Sequence, residues 1–406
     1  VNDVKACGLI VEYNPFHNGH LYHLQASRQQ TNSDVTVVVM SGSFLQRGEP
    51  AIIDKFKRTK AALTHGVDVV LELPFVYAVQ YADLFAKGAI SVLDALKVDY
   101  VCFGSEAGQI TPFINGYMHF KENQSEFQTL LQNYLQQGLS FPKASTYAYE
   151  QIGLRTGEID LGQPNNILGF SYVKAIHELN SQIQPETIQR SKSGYHDQSI
   201  ETHIASATSI RKEILEQKQL TELANYALPK ETVKQLKNYQ SESGLWHEWE
   251  HYFPFLQLLV QTQSVDQLRR IHGMIEGLEY RLKQTVNQCR SFKDWMEQLK
   301  TKRYTWTRLQ RMFVHLLTNT TKEEIDQYRS ITTQPYIRLL GMSQTGRQFI
   351  QQRKKDLDVP LISNYQQLKH PMLQIEERAT DAYYSVIAAD KRSQLRKQEI
   401  IGPVMM

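Results

Sequence analysis

The sequence predicts an α/β protein: a parallel sheet layered with helices over the first half, followed by a mostly helical domain. Three observations lead there. Short apolar runs alternate with helix-length segments through the first hundred residues. A turn rich in histidine, proline and glycine follows the first of those runs directly. Beyond about residue 220 glycine thins out, and apolar residues recur at helical spacing among Gln, Lys and Arg. Strands separated by helices of roughly 10–15 residues make βαβ units, whose crossovers leave neighbouring strands parallel.

In chain order, KACGLIVEY (5–13) is the first strand and HNGHLYHLQASRQQ (17–30) the first helix. DVTVVVMSG (34–42) is a second strand, KFKRTKAALTHG (55–66) a helix stopped by Gly66, and VDVVLELP (67–74) a third strand. YADLFAKGAISVLDALK (81–97) then reads as a helix and DYVCFGSE (99–106) as a fourth strand. Residues 113–180 read as helices broken by GQPNNILG (162–169). PETIQRSKSG (185–194) reads as a strand running into a loop, and SATSIRKEILEQ (206–217) as a loop entering a helix. The division expected is a first domain at 1–219 and a helical second domain at 220–406, since one core rarely grows past about 250–300 residues.

Composition narrows the class. Of 406 residues 41% are hydrophobic and 21% charged, as in globular proteins, and a net charge of +3 permits an anionic partner without demanding one. The three cysteines, Cys7, Cys102 and Cys289, are scattered and make neither a disulfide framework nor a zinc site. No apolar run reaches the roughly 18 residues of a membrane span, and no signal-peptide pattern is present, so a cytoplasmic protein without a membrane or protein partner is expected.

The chemistry concentrates at YNPFHNGHLYHL (13–24). Pro15 keeps Asn14 out of the helical region, so the chain turns there and the helix starts near His17. His17 and His20 share its first turn and one face. Gly19 leaves room for close approach, and a helix N-terminus offers N–H groups and partial positive charge to an anion. The place, at the carboxyl end of a parallel strand, is where open α/β sheets bind ligands. Taken alone, two histidines at a helix start serve equally well as caps. SATSIR (206–211) supplies hydroxyl and backbone donors and a fixed positive charge, and alone it too is an ordinary helix cap.

In this order, HNGH and SATSIR resemble the two signature motifs of the HxGH nucleotidyltransferases related to class I aminoacyl-tRNA synthetases, which have a Rossmann-like sheet. The resemblance narrows further. VEYNPFHNGHLYHL, SGSFLQRGEPA (41–51), GSE (104–106), QPNNILG (163–169) and KRYTWTRLQRM (302–312) together are similar to the tRNA(Met) cytidine acetate ligase family. It implies that ATP, with Mg²⁺, activates acetate as acetyl-adenylate, and that the acetyl group passes to the wobble cytidine of elongator tRNA(Met), giving N4-acetylcytidine. It implies catalytic roles for His17 and His20. It implies ATP binding by Ile10, Val11, Glu12, Tyr13, Asn14, Pro15, Phe16, His17, Asn18, Gly19, His20, Leu21, Tyr22 and His23, and by Ser206, Ser209 and Arg211. Gly104, Asn165 and Arg190 join them, although a turn glycine, an Asn-rich turn and a partner for a nearby carboxylate explain these three as well. Arg47 and Lys55 are candidates for phosphate or RNA backbone, or for a solvated loop. No residues are spaced as metal ligands.

On a helix, Tyr304, Arg308, Arg311 and His315 share one face, and Trp306, Leu309, Phe313 and Leu316 the other. With Arg303, the basic face is a candidate tRNA surface; a solvated surface helix has the same pattern. The alternative function is a small-molecule adenylyltransferase, or a pantothenate-synthetase-like ligase, that uses no RNA.

Overall fold

The six residues of strand β1 (Ala6–Val11) are almost wholly buried, because helices cover both faces of a parallel sheet. The computed structural model describes residues 4–155, 159–189, 205–302 and 304–406. After β1 come helix α1 (Asn18–Thr31), strand β2 (Val35–Ser41), α2 (Lys55–Thr64), β3 (Val69–Leu73), the short α3 (Phe75–Ala78), α4 (Ala82–Ala95) and β4 (Tyr100–Ser105). These match the expected alternation. The four strands are β-branched and apolar where it matters, and β2 and β3 are buried at every position.

Residues 111–178 form α5 (Thr111–Glu122), α6 (Gln124–Gln136), α7 (Phe141–Gln151) and α8 (Pro164–Glu178). The expected break at GQPNNILG is met in part: the gap between α7 and α8 takes in Gly162 and Gln163, and the rest opens α8, with Pro164 at its first position. Strand β5 (Gln184–Gln189) and α9 (Ala207–Gln217) follow.

The sheet runs β5-β4-β1-β2-β3 with every one of these pairs parallel. The chain leaves β1 for β2 and β3 on one side, then crosses to β4 and β5 on the other. Between the carboxyl ends of β1 and β4 the two directions diverge and open a crevice.

Beyond residue 220 the chain is mostly helical, as expected, but it also returns to the sheet. Strand β6 (Ile337–Met342) lies antiparallel on β3, pairing Val69 with Met342, and β7 (Leu361–Ile362) and β8 (Val404–Met405) pair with β6. IRLLGM is a six-residue apolar run amid helical texture, and periodicity cannot separate so short a run from a buried helix turn. Residue 220 is therefore no edge of the sheet. The free thiols Cys7, Cys102 and Cys289 are all buried. No helix among the described residues is long and apolar enough to cross a membrane.

Candidate functional site

The site grows from the end of β1. Tyr13 adopts a left-handed backbone at φ 48°, and the Asn14–Pro15 peptide is cis. Past this turn His17, still extended at φ −129°, becomes the N-cap of α1. Tyr13 and Phe16, each 1% exposed, wedge beneath the turn, with ring centroids 5.0 and 5.9 Å from that of His20.

The histidines hold each other. The Gly19 N–H donates to Nδ1 of His17 at 3.0 Å, and the His17 N–H donates to Nδ1 of His20 at 3.3 Å. The rings stack with centroids 3.7 Å apart. An Nδ1 that accepts a hydrogen bond carries its lone pair there, so each neutral ring bears its proton on Nε2. Capping and ligand binding, alternatives in the sequence, are thus compatible: capping by Nδ1 fixes Nε2 as a donor. The expected free amides are a different matter. Asn18 N–H donates to the Ala227 carbonyl at 3.1 Å, and the His17 side chain and carbonyl take the next two. The helix start contributes its partial charge and its histidines rather than unpaired N–H groups.

Facing this turn is α9. Ser206 caps it, its Oγ accepting from Ser209 N–H at 3.1 Å. Arg211 reaches across to donate to the Asn14 carbonyl at 2.9 Å and to Glu49 at 2.7 Å. A cleft of about 270 Å³ lies between, at the crevice of β1 and β4. Its lining joins Ile10, Val11, Glu12, Tyr13, Asn14, His17, Gly19, His20, Tyr22 and His23 to Gly104, Asn165, Ser206 and Arg211, with Arg47 among them. The N-terminal and SATSIR motifs, nearly two hundred residues apart, therefore meet. Pro15, Phe16, Asn18, Leu21 and Ser209 do not line the cleft; Phe16 and Ser209 are buried behind it, and Asn18 ties α1 to residues 226–227. Arg190 and Arg303 lie outside the described residues.

Asn165 at the start of α8 donates Nδ2–H to Glu106 at 2.6 Å, and Glu106 also accepts from the Asn166 N–H at 2.9 Å. The glutamate of GSE thus caps the QPNN helix and sets Asn165 at the cleft. Apolar contributions come from Phe85, Phe103, Leu168, Tyr172 and Ile188. Their signal in the sequence was only that of core residues.

Three placements correct the sequence reading. Lys55 is 1% exposed and binds Glu72 at 2.6 Å and Glu399 at 3.1 Å, so it holds neither phosphate nor RNA. Arg58, which sequence reasoning passed over, is equally buried and donates to the carbonyls of Glu12, Ser41, Gly42 and Ile53, tying together the carboxyl ends of β1 and β2. Burial lowers its pKa from the usual arginine value. Third, the basic face of the helix Trp306–Leu317 packs against the first half. His315 is 1% exposed and its Nε2 meets the Val79 carbonyl at 3.2 Å. Arg311 donates from Nε to the Gln46 carbonyl at 2.6 Å, and burial, then Arg47, lowers its pKa to about 10. Tyr304 precedes this helix and is buried, leaving Arg308 as the half-exposed cation among the described residues of the expected set. Elsewhere in the second half Arg269 pairs with Glu279 and Arg396 with Asp381.

The loop 43–50 thus links the cleft to the second half. Leu45, Gln46, Arg47 and Glu49 line the cleft, Gly48 accepts from Trp249 Nε1 at 3.1 Å, and a Cβ on Gly48 would collide with the Arg311 backbone. With φ at 78°, that position needs glycine on both counts. Burial also raises the Glu12 carboxyl above its ordinary range; its Oε1 accepts the Gln46 N–H at 2.8 Å.

Comparison with known proteins agrees with this geometry. A family model described as HIGH Nucleotidyl Transferase matches residues 4–399. The tRNA(Met) cytidine acetate ligase of Oceanobacillus iheyensis is 52% identical over 405 residues, covering 99% of this chain and 100% of the relative. That of Bacillus licheniformis is 46% identical over 399 residues, 98% of this chain and 96% of the relative. Apo Thermotoga maritima TmcAL superposes with a TM-score of 0.91 at 34% identity, covering 99% of this chain and 100% of that one. The same protein bound with alpha-thio ATP gives 0.89 at 33%, with the same coverage. With its histidine pair at the switch point of a parallel sheet and relatives matched end to end, the chain belongs to the HIGH nucleotidyltransferases and, within them, to the tRNA(Met) cytidine acetate ligase family.

Proposed function

We propose that the protein activates acetate with ATP and transfers the acetyl group to N4 of the wobble cytidine of elongator tRNA(Met). The observation that carries this is the capped histidine pair facing Arg211 across a cleft at the β1–β4 crevice, in a chain whose full-length relatives bear that name. A solved relative binds an ATP analogue, which supports reading the cleft as a nucleotide site.

The chemistry follows from the leaving groups. Acetate is a poor acyl donor because its oxygen leaves badly. Attack of its carboxylate on the α-phosphorus of ATP gives acetyl-adenylate and pyrophosphate, and AMP is then a good leaving group for attack by the weakly nucleophilic cytosine amine. His17 and His20 present Nε2–H donors where charge grows on the α-phosphoryl group. Arg211, Arg47 and Ser206 hold the departing pyrophosphate. Gly104 and Asn165, with the apolar wall of Phe103 and Ile188, receive the adenosine. Arg190 completes the proposed nucleotide set. Mg²⁺ comes with the nucleotide as part of the substrate. No three His, Cys, Asp or Glu side chains gather into an ion site among the described residues, and Mg²⁺ on phosphates needs only one or two carboxylates.

Tyr22, 45% exposed, lines the cleft. A ring at an opening suits an unstacked base, and Arg308 and Arg303 suit the tRNA backbone. Such substrates suit an enzyme of the cytoplasm.

The test has two stages. Acetate-dependent exchange of pyrophosphate into ATP is expected without RNA, and N4-acetylcytidine is expected once elongator tRNA(Met) is added. Exchange that requires a different carboxylate, with no modified nucleoside, would favour the small-molecule ligase.

A further inference from the structure

The cleft must accept two anions, ATP and acetate, yet it contains the carboxylate of Glu12. Its one hydrogen bond is to the neutral Gln46 N–H at 2.8 Å, and among the described residues no cation lies within 4.0 Å of it. The other carboxylate of the cleft differs: Glu49 is neutralised by Arg211 at 2.7 Å. A partly buried carboxylate without a close counter-ion is destabilising, and next to phosphates it also opposes binding. It is nonetheless held firmly. The Glu12 carbonyl accepts from Arg58 at 2.7 Å, and the Gln46 carbonyl from Arg311 at 2.6 Å.

Of the two half-reactions proposed above, on which this inference rests, only the second needs such a group. Acetate attacks phosphorus as an anion and has no proton to lose. The cytosine amine must shed a proton as it becomes an amide. We propose that Glu12 is the general base of acetyl transfer. The N4 lone pair attacks the carbonyl carbon of acetyl-adenylate, and the Glu12 carboxylate takes one N4 proton. The bond from that carbon to the phosphate oxygen breaks, and AMP leaves with the electron pair. The products are N4-acetylcytidine, AMP and a protonated Glu12, which returns its proton to water. Burial makes the carboxylate a stronger base than a solvated one. The charged and titratable groups around it are Glu49 and Arg47 on the loop after β2, Arg58 on α2, Arg211 on α9, Arg311 on the helix Trp306–Leu317, and His17 and His20 on α1.

The experiment uses the full chain. Enzyme loaded with labelled acetate, ATP and pyrophosphatase is mixed with elongator tRNA(Met), and a single turnover is followed across pH. The same preparations are assayed for acetate-dependent pyrophosphate exchange. Glu12→Gln keeps an acceptor for the Gln46 N–H. It is expected to slow transfer by about 100-fold or more, to reduce exchange by a much smaller factor, and to remove the rise of transfer rate with pH. Equal loss of both reactions would overturn the proposal and make Glu12 a ligand of the nucleotide or its Mg²⁺. Transfer at the wild-type rate would overturn it too. Should the Gln variant load no adenylate, Glu12→Asp decides: slow transfer that keeps the pH dependence supports the base, and transfer without it does not. Wild-type enzyme that forms no N4-acetylcytidine would instead remove the proposed function.

Discussion

At the scale of the residue, His17 has two jobs that a substitution can separate. Asparagine is as good an N-cap as any side chain, so His17→Asn keeps an acceptor for the Gly19 N–H and is expected to change unfolding free energy by no more than about 0.5 kcal/mol. It loses the Nε2 donor. Pyrophosphate exchange is therefore expected to fall by roughly 10²–10³-fold, the usual effect of removing one donor from a developing anion. Urea unfolding and exchange on the same preparation check both halves, and exchange within a few-fold of wild type would leave His17 as a cap only. HNGH was legible in the sequence because it follows a strand and opens a helix, and because with SATSIR it resembles a known pair of motifs. Lys55 and Arg58 were not legible. Both sit in one charged helix, KFKRTKAALT, and its pattern carries no sign that these two cations turn inward while Lys60 stays exposed. Most of their partners, Glu72, Glu399 and the carbonyls of Glu12 and Ser41, are distant in the sequence and are brought together by the fold.

At the scale of the element, the helix Trp306–Leu317 shows why an amphipathic pattern misleads when both faces are covered. Trp306, Leu309, Phe313 and Leu316 follow the apolar face as read, and Leu309, Phe313 and Leu316 are buried. The other face packs too, because the loop 43–50 lies against Arg311 and the short α3 brings Phe75 within 5.6 Å of His315, centroid to centroid. Arg311 is thus a prop for a cleft loop, two hydrogen bonds from Glu12 through the Gln46 backbone. Arg311→Ala leaves the Gln46 carbonyl without its donor and is expected to lower pyrophosphate exchange several-fold more than Arg308→Ala does. Arg308→Ala is expected to act mainly on tRNA, weakening binding and reducing its salt slope by about one unit. Exchange rates of the two variants without RNA, set beside filter binding at several salt concentrations, test the order. If Arg311→Ala proves the milder of the two in exchange, the loop stands without its prop.

At the scale of the whole molecule, the sheet is completed from both ends of the chain, and the join is ionic. Lys55 of α2 and Arg338 of β6 face Glu72 of β3 and Glu399 in a closed ring, with contacts of 2.6, 3.1, 2.7 and 2.6 Å. Two cations and two anions balance there. Burial alone pushes the Glu399 carboxyl up, but Lys55 and Arg338 outweigh it and hold it below its ordinary value. The first-half strands were readable from local runs of apolar residues. This join was not, since two of its contacts pair positions hundreds of residues apart, and Glu72 and Arg338 each interrupt an apolar strand. A third carboxyl, Glu376, accepts from the Phe75 N–H at 2.6 Å and flanks Gly42 beside Glu72. Burial, then the Glu72 charge, raises its pKa from 4.5 to about 8. Lys55 and Arg338 offset this only in part, so the fold favours its protonated form. The sign of the linkage is then fixed. Between pH 4.5 and about 8 the folded chain keeps a proton that the unfolded chain has released, so this group's contribution to stability is full below that window and declines as pH rises through it. Glu376→Gln retains an acceptor for Phe75 and cannot ionise. Urea midpoints of both proteins measured from pH 5 to 8.5 should show wild type losing ground to the variant as pH rises, with the gap levelling above pH 8. Because every other titrating group is shared, the difference isolates this carboxyl. A difference that is flat in pH would mean that Glu376 is ionised in the folded protein, and that the ring carries a net negative charge which some other group must offset.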